Sequence, residues 1–504
     1  MLHGFLRSFR SYPDSAAIII DDRKYSYREL MQLACKIALE IKKSNAGSQK
    51  MIGVYTDHSV QTYASIIAVL LNGSGFVPVN KKFPHDKLRN IVGSAGVETV
   101  LSNGHSVSEL QDICKGLAIT SIVNDQLPAE DVSVPDAPSP NPSDIAYILF
   151  TSGSTGVPKG IGITHHNFAA FIAAMTRSGQ YDFNASDRIL QIFELSFDVS
   201  IACTFIAWEV GACLVPTPTD GIVFIRALEI IKEHEVTVVS MAPSALAYMK
   251  QLRLLEEFNF PKVRYTLFTG EALAFNLAKA WKEVARESII ENAYGPTEVT
   301  VWSSMYRCDM KQTDKEVING LAPIGKVLQG LTYRICDDDL KPLEKGQFGE
   351  LLLYGDQVAG GYWNDPVKTA STFIKMEGLP GNWYRTGDIV IENEYGNIVY
   401  VNRKDNQVQI NGFRVELGEI EFRIKEYTKK DSAVVLPFEN ENKTLTLIAF
   451  VENIGDDTKD LKMHLSSTLP SYMIPKKFYS IAAMPLNNSG KIDRKKLMEM
   501  HTEE

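Results

Sequence analysis

The sequence is poor in cysteine, has no long apolar run and carries no excess of basic charge, and each absence excludes a class of protein. Its six cysteines include no C-x-x-C pair, so neither a zinc site nor a disulfide framework is indicated. The longest apolar stretches, such as Ile66 to Leu71, fall far short of the ~20 residues that cross a bilayer. We therefore expect a cytoplasmic protein that has no membrane segment.

Acidic residues outnumber basic ones, with 61 Asp and Glu against 52 Lys and Arg and a formal net charge of −9. Contacts with phosphate backbones rely on clustered Lys and Arg, so the composition argues against a nucleic-acid partner. The length of 504 residues predicts about three structural units, at roughly 100–200 residues per domain.

Short apolar runs alternate with amphipathic stretches over most of the chain, which predicts an α/β fold with helices covering buried sheets. After Gly325, closely spaced strands and turns predict a β-rich subdomain, and beyond Arg403 the pattern returns to α+β. We predict a large body over residues 1–401, made of two α/β subdomains and the β-rich one. Residues 402–504 then form a small, mobile α+β domain.

A loop rich in glycine and hydroxyl side chains, Phe150-Thr-Ser-Gly-Ser-Thr-Gly-Val-Pro-Lys-Gly160, follows a strand-like stretch. Backbone N–H groups in such a loop can face phosphate oxygens, and Lys159 adds a cation. The spacing differs from G-x-x-x-x-G-K-[ST], so the P-loop fold is not implied. A flexible surface loop also explains the glycines, but explains less easily why hydroxyls and a lysine follow a buried strand.

Further motifs occur in order along residues 25 to 494: Tyr25-Ser-Tyr-Arg-Glu-Leu30, Gly73-Ser-Gly-Phe-Val-Pro78, Phe197-Asp-Val-Ser200, Asn292-Ala-Tyr-Gly-Pro-Thr-Glu298, Tyr384-Arg-Thr-Gly-Asp388, Arg403-Lys-Asp-Asn-Gln-Val408, Leu469-Pro-Ser-Tyr-Met-Ile-Pro475 and Asn488-Ser-Gly-Lys-Ile-Asp-Arg494. With these motifs the sequence resembles the adenylate-forming enzymes, and within them the amino-acid-activating domains of nonribosomal peptide synthetases. The resemblance implies a ligase that forms aminoacyl-AMP from ATP and releases pyrophosphate. It also implies transfer to the phosphopantetheine thiol of a carrier protein, as in antibiotic biosynthesis.

The resemblance implies a site for ATP and Mg²⁺. A carboxylate that attacks the α-phosphate brings two anions together, so cations and oriented dipoles must offset their repulsion. Lys491 is implied to bridge substrate and nucleotide, Thr297 to contact the α-phosphate, and Glu298 to act in catalysis and bind the metal. Without the motifs, Lys491 would be a solvated lysine and the Thr297–Glu298 pair a helix cap. The implied nucleotide contacts are Thr151, Ser152, Gly153, Ser154, Thr155, Lys159, Asn292, Ala293, Tyr294, Gly295, Asp388, Tyr400 and Arg403.

Arg403 and Asp405 lie at the predicted domain boundary. By resemblance, Asp405 belongs to the hinge about which the small domain rotates after adenylation, presenting another face for thioester formation. Several positions near the hinge, and one in the β-rich region, depart from the family's usual residues: Asn402, Gln409, Asn411 and Gly360.

The substrate pocket is implied by motif offset. Asp198 stands where the amino-acid-activating branch holds the substrate α-ammonium, which needs a paired charge when buried; the alternative is a helix-capping Asp. The other positions are uncharged, which predicts a neutral apolar amino acid: Val199, Ala202, Ser240, Phe268, Gly270, Ala293, Val301 and Trp302. Side-chain size stays open. If Phe268 and Trp302 form walls, an aromatic or branched side chain fits; if Trp302 crosses the floor, only a small one does.

The sequence ends 13 residues after Lys491 without a phosphopantetheine site, so we expect a free-standing ligase that charges a separate acyl or peptidyl carrier protein. One alternative is the ligase that loads D-alanine onto its carrier protein, against which Thr269 stands where we expect Cys. An acyl-CoA synthetase would lack the Asp198 contact. A catalytically silent scaffold has no chemical reason to retain Lys491, Glu298, Asp388 and Lys159 together.

The Lys491 assignment predicts that Lys491→Ala abolishes adenylation while largely sparing ATP binding, because the lost cation would act on the developing charge. Amino-acid-dependent ATP–pyrophosphate exchange and nucleotide binding are the two measurements, with Lys495→Ala from the same basic segment as the control. Unchanged exchange in Lys491→Ala would contradict the assignment.

Overall fold

The computed structural model describes residues 1–44, 49–102, 110, 120–123, 133–134, 140–151, 158–218, 223–404, 407–430, 433–439, 445–454, 458–485 and 492–502. The strands among them are, in chain order, β1 (Ala16–Ile20), β2 (Arg23–Ser26), β3 (Met51–Thr56), β4 (Gly75–Asn80), β5 (Thr99–Ser102), β6 (Thr120–Val123), β7 (Ile145–Thr151), β8 (Lys159–Thr164), β9 (Arg188–Gln191), β10 (Cys213–Pro216), β11 (Val238–Met241), β12 (Tyr265–Thr269), β13 (Ile289–Tyr294), β14 (Ser304–Arg307), β15 (Lys326–Val327), β16 (Leu331–Cys336), β17 (Gly349–Gly355), β18 (Phe373–Ile374), β19 (Trp383–Glu392), β20 (Ile398–Arg403), β21 (Gln407–Ile410), β22 (Phe413–Glu416), β23 (Ala433–Glu439), β24 (Leu445–Glu452) and β25 (Lys477–Ile481).

The helices described are α1 (His3–Ser11), α2 (Tyr27–Lys43), α3 (Val60–Leu71), α4 (His85–Ala95), α5 (His165–Thr176), α6 (Asp198–Val210), α7 (Val223–Glu233), α8 (Pro243–Gln251), α9 (Phe275–Val284), α10 (Met310–Glu316), α11 (Pro366–Thr372), α12 (Leu417–Thr428), α13 (Thr458–Thr468) and α14 (Arg494–Thr502). Short 3₁₀ turns lie at Leu254–Glu257, Thr297–Val299 and Ser471–Met473. None of these helices is long and apolar enough to cross a membrane.

The first subdomain is built on a six-stranded sheet of order β6-β5-β3-β4-β7-β8, in which only the β7–β8 pair is antiparallel. Helix α3 joins the parallel strands β3 and β4 and is buried along almost its whole length, as its apolar sequence requires. The neighbouring helix α2 begins at a capping box, in which the Ser26 hydroxyl and the Glu29 carboxylate each accept the other residue's backbone N–H.

The second subdomain is built on a nine-stranded sheet of order β15-β14-β13-β12-β11-β9-β10-β1-β2. The six strands from β13 to β1 are parallel, and antiparallel strands close both edges. Open parallel sheets bind ligands beyond the carboxyl ends of their strands. In this sheet the carboxyl ends of β12 and β13 are Thr269 and Tyr294.

A β-rich subdomain and a small α+β domain follow. Strands β16, β17, β19, β18 and β20 form an antiparallel sheet. Beyond it, β21 and β22 make a hairpin, and β23, β24 and β25 make a three-stranded sheet packed against α12. Ile410, Val415 and Ile420 belong to a buried cluster made only of residues from this end of the chain. The predicted fold class is confirmed, while the boundary at residue 402 stays a prediction.

One buried carboxylate ties three neighbouring strands together at their amino ends. Asp187, which precedes β9, accepts hydrogen bonds from the Thr237 hydroxyl before β11 (2.6 Å) and from Arg264 before β12 (2.8 Å). Its second oxygen accepts the Asn184 N–H at 2.9 Å. Because the Asp187 side chain is 0% exposed, its charge depends entirely on these partners.

Asp187→Ala should therefore lower the free energy of unfolding by about 3 kcal/mol, because the variant loses three hydrogen bonds to a buried carboxylate. Urea denaturation followed by fluorescence measures the loss. Asp182→Ala is the matched control, because Asp182 contacts the same Arg264 but its side chain is 84% exposed. Equal losses in the two variants would contradict the role given to burial.

Candidate active site

A cavity of about 1390 Å³ lies beyond the carboxyl ends of β12 and β13, between the large sheet, the β-rich subdomain and the β21–β22 hairpin. The structure brings many of the predicted site residues to its wall: Thr151, Asp198, Val199, Gly270, Asn292, Ala293, Tyr294, Gly295, Thr297, Asp388, Tyr400 and Arg403. A single cavity thus collects residues that lie as far as 252 positions apart in the chain, from Thr151 to Arg403.

Three of the predicted nucleotide residues form one hydrogen-bonded group. Asp388 on β19 is 4% exposed and accepts from Arg403 on β20, with 2.8 Å between Nη1 and Oδ1. The Tyr294 hydroxyl donates to the other Asp388 oxygen, which places the tyrosine ring beside the same carboxylate. A carboxylate has about four acceptor sites, so these two bonds alone do not saturate a group such as Asp388.

Two further residues of the Asn292–Glu298 motif have a structural part in the site. The Asn292 side-chain amide donates to the Pro323 carbonyl at 2.8 Å, which fixes its orientation at the cavity wall. A Cβ at Gly295 would lie 2.1 Å from the Val301 carbonyl, so only glycine fits there.

Glu298 is completely buried and remains ionised. Its Oε1 accepts from the Tyr362 hydroxyl at 2.9 Å, and its Oε2 accepts from Arg414 Nη1 at 2.7 Å. Burial acts to raise the pKa of Glu298, but the Arg414 guanidinium and the hydrogen bonds outweigh it, so this pKa lies below its ordinary value. An ionised carboxylate is the ligand that a hard cation such as Mg²⁺ requires.

The described residues contain no cluster of three or more acidic, histidine or cysteine side chains that could hold a metal ion on their own. A magnesium ion at Glu298 would therefore take its other ligands from phosphate oxygens and water, as Mg²⁺ commonly does. The ionised carboxylate suits such an ion, and Glu298 would hold it if Arg414 left its Oε2.

Lys159 opens β8 and lies directly across the β7–β8 pair from Thr151. Its Nζ donates to Glu416 Oε1 at 3.0 Å, and both side chains are largely buried. The loop residues Ser152, Gly153, Ser154 and Thr155 lie outside the described residues, as do Asp405 and Lys491. Their roles stay predictions.

Asp198 is the first residue of α6, and its side chain lines the cavity while being only 9% exposed. Burial raises its pKa to about 6, although the Thr297 hydroxyl and the Val199 N–H oppose the shift. Its Oδ2 has no hydrogen-bond partner among the described residues. A buried carboxylate oxygen with nothing to accept suits a cationic donor such as an ammonium group better than it suits a helix cap.

The prediction that Phe268 lines the substrate pocket is wrong. Phe268 is fully buried and packs with Val239 and Met241 in a core cluster on the opposite face of the large sheet. Successive side chains of a strand point to opposite faces, so its neighbours Leu267 and Thr269 face the cavity side instead. The motif offset was therefore misplaced by one residue.

The other predicted pocket residues form two layers. Val199, Gly270 and Ala293 reach the cavity wall. Behind them, buried in the core, lie Ala202, Ser240, Val301 and Trp302. Thr269 joins the layers, because it lines the cavity and its hydroxyl accepts the Trp302 indole N–H at 2.9 Å.

Sequence reasoning missed Arg414, Glu416 and Tyr362, which hold the ionised groups of the site. A signal for Arg414 was available, since it is the only basic residue between Gln407 and Glu416. The departure at Asn411 has a structural reason. Asn411 and Gly412 form the two-residue turn of the β21–β22 hairpin with φ of 52° and 81°, and Asn-Gly is the preferred pair for such a turn.

Comparison with known proteins agrees with this geometry. A family model described as AMP-binding enzyme matches residues 5–363. Tyrocidine synthase 1 of Brevibacillus parabrevis is 32% identical over 499 residues, covering 98% of this chain and 44% of that protein. Zwittermicin A synthase ZmaJ of Bacillus cereus is 31% identical over 496 residues, covering 96% of this chain and 92% of that protein.

Solved structures show the same fold. The Vibrio cholerae adenylation domain AlmE, in complex with glycyl-adenosine-5'-phosphate, superposes with a TM-score of 0.87 at 25% identity, covering 100% of this chain and 97% of that chain. NpsA-ThdA, an artificially fused adenylation–PCP di-domain from Klebsiella oxytoca, gives a TM-score of 0.81 at 25% identity, covering 94% and 92%.

The raised pKa of Asp198 predicts how affinity for an amino acid varies with pH. Above about pH 6 the carboxylate is ionised and pairs with the ammonium group; as the pH falls through this value it is protonated, and affinity should drop by up to about tenfold per pH unit. Calorimetric titration between pH 5 and pH 8 tests this. Asp198→Asn should bind weakly without that dependence, and a wild-type affinity independent of pH would contradict the assignment.

Proposed function

Because the chain belongs to the family of AMP-binding enzymes, we propose that it activates a small neutral amino acid as aminoacyl-AMP and passes the aminoacyl group to the phosphopantetheine thiol of a carrier protein. One observation carries this proposal. Asp198, whose buried Oδ2 has no hydrogen-bond partner among the described residues, lines the same cavity as the Tyr294, Asp388 and Arg403 group. An ammonium site and a nucleotide site thus share one cavity.

In the first step the amino-acid carboxylate attacks the α-phosphorus of ATP, a new O–P bond forms, and the bond to the β-phosphate breaks to release pyrophosphate. Asp198 holds the ammonium group, and the Thr297 hydroxyl, a neighbour of Asp198, is the donor that we assign to the α-phosphate. The Tyr294 ring lies against adenine, and Asp388 accepts the ribose hydroxyls. Binding both reactants in one orientation supplies much of the rate enhancement.

Negative charge accumulates on the phosphates in this step. Lys159 and Lys491 are the cations of this chain that would offset it. Mg²⁺ held by Glu298 would supply further neutralisation of the phosphate oxygens. The chemistry therefore requires that Glu298 be ionised, as the Arg414 and Tyr362 contacts make it.

The Thr269–Trp302 pair supports a small substrate side chain. The indole is 1% exposed, is held by its N–H bond to Thr269 and packs edge-on against Phe171 with ring centroids 5.9 Å apart. A ring fixed on several sides does not move aside cheaply, so the pocket ends at Thr269 and Ala293. Glycine or an amino acid with a similarly small side chain fits this space, and the glycyl adenylate bound by AlmE supports the proposal.

Transfer to a carrier is supported by the relatives, which are peptide synthetases, and by the adenylation–PCP fusion among the similar structures. These relatives do not favour a ligase for D-alanine and its carrier protein. The ammonium site at Asp198 argues against an acyl-CoA synthetase, whose substrate has no ammonium group.

The test is ATP–pyrophosphate exchange with a panel of glycine, L- and D-alanine, L-leucine, L-phenylalanine, acetate and benzoate. Glycine or alanine should give at least ten times the exchange of leucine or phenylalanine, since the larger side chains would collide with Trp302. Trp302→Ala should shift the preference toward the larger amino acids. Phe268→Leu is the matched control, because Phe268 lies on the opposite face of the sheet and its change should leave the preference unaltered.

Exchange with acetate or benzoate alone would overturn the Asp198 assignment, and exchange with phenylalanine alone would overturn the proposed size. Exchange with no acid would favour a silent scaffold. Transfer of the activated amino acid to a phosphopantetheinylated carrier protein, detected by mass spectrometry, tests the second step.

A further inference from the structure

The β21–β22 hairpin carries one cation and one anion into the active site, and each is paired with an oppositely charged residue of the nucleotide site. Arg414 donates to Glu298 at 2.7 Å. Glu416, two residues further along the same strand, accepts from Lys159 at 3.0 Å. The hairpin therefore pairs the charges of two residues of the predicted nucleotide site: Glu298, to which the metal is assigned, and Lys159, to which phosphate is assigned.

The Arg414–Glu298 pair is shielded from water. The Glu298 side chain is 0% exposed and that of Arg414 is 19% exposed. The second Glu298 oxygen accepts from the neutral Tyr362 hydroxyl, so among the described residues Arg414 is the cation that balances the Glu298 charge. A metal ion at Glu298 and the guanidinium at 2.7 Å would place two mutually repelling cations at one carboxylate, so they compete for it.

The Glu416–Lys159 pair is also largely shielded from water. The side chains are 10% and 14% exposed, and Gln407 on the partner strand donates to the same Glu416 oxygen at 2.8 Å. The Glu416 Oε1 thus accepts at the ammonium group where, by the role predicted for Lys159, a phosphate oxygen would bind. Phosphate and Glu416 therefore compete for one cation.

Backbone and ring contacts fix the hairpin in this position. The Gly412 N–H donates to Glu271 at 2.6 Å, and the turn lies over Gly270, where an added Cβ would come within 3.4 Å of the Gly412 carbonyl. The Phe413 ring packs edge-on against Phe197, with centroids 4.8 Å apart, and stacks on Tyr472 at 4.0 Å. The two charged contacts thus belong to a specific docked arrangement.

We propose that the docked hairpin is an internal substitute for magnesium pyrophosphate, in which Arg414 takes the place of the metal at Glu298 and Glu416 takes the place of phosphate oxygens at Lys159. This rests on the proposed function, which makes pyrophosphate the leaving group. Hairpin and magnesium pyrophosphate are alternative occupants of one site, and each lowers the apparent affinity of the other.

The substitution protects the intermediate. In the reverse reaction a pyrophosphate oxygen attacks the phosphorus of aminoacyl-AMP, a P–O–P bond forms and the amino-acid carboxylate leaves, which regenerates ATP. A docked hairpin denies pyrophosphate both Glu298 and Lys159. The adenylate then reacts with the carrier thiol, whose sulfur attacks the acyl carbon and displaces AMP.

The first test is calorimetric titration of magnesium pyrophosphate into the full chain saturated with AMP. Arg414→Met and Glu416→Gln should each bind it at least fivefold more tightly than the wild type, because each removes one contact of the competing hairpin. Gln409→Ala is the matched control, since Gln409 is an exposed residue of the same hairpin. A damaged fold would weaken binding, so a gain in affinity reports the competition itself.

The second test follows the hairpin without changing it. Dyes on Val367→Cys in α11 and Met463→Cys in α13, both exposed positions, report the distance between the body and the small domain. Magnesium pyrophosphate should shift the energy transfer, and AMP alone should not. Unchanged transfer, or equal or weaker pyrophosphate affinity in both hairpin variants, overturns the proposal. Absence of exchange with any amino acid overturns the proposed function, and the hairpin proposal with it.

Discussion

The buried negative charge of Glu298 is the constraint on which the remainder of the site depends. A carboxylate removed from water must be neutralised, and breaking such a pair typically costs several kcal/mol. In the structure Arg414 and Tyr362 meet this requirement. Asp198 is close enough for the Glu298 charge to raise its pKa, and its second oxygen has no hydrogen-bond partner among the described residues. Glu298 therefore has its charge paired, whereas Asp198 is the carboxylate that we propose to bind the substrate ammonium group.

The fold brings the charged residues of the site together from several structural elements. Parallel strands β12 and β13 bring Thr269 and Ala293 to adjacent positions at the edge of the sheet, while α6 begins at Asp198. The β-rich subdomain adds Asp388, and the hairpin of the small domain adds Arg414. No single subdomain contains the site, so a rotation of the predicted small domain would change its electrostatics.

The sequence predicted the fold class correctly, and many of the predicted site residues line the cavity. Tyr294, Asp388 and Arg403 lie in contact because their motifs fall on strands of fixed topology. The prediction for Phe268 was wrong, because a one-residue error in register moves a strand side chain to the opposite face of the sheet. Pocket size was undetermined, because it depends on the hydrogen bond that fixes Trp302 to Thr269. The partners of Glu298 and Lys159 were missed, because the hairpin reaches them only through tertiary docking.

A crystal structure of the chain with glycine, Mg²⁺ and a non-hydrolysable ATP analogue tests this account most directly. We expect the glycine ammonium to hydrogen-bond to Asp198, the metal to lie at Glu298, and Arg414 to be displaced from that carboxylate. If Arg414 remained bonded to Glu298 while nucleotide, metal and glycine were all bound, the two cations would not be alternatives. The account would then be contradicted.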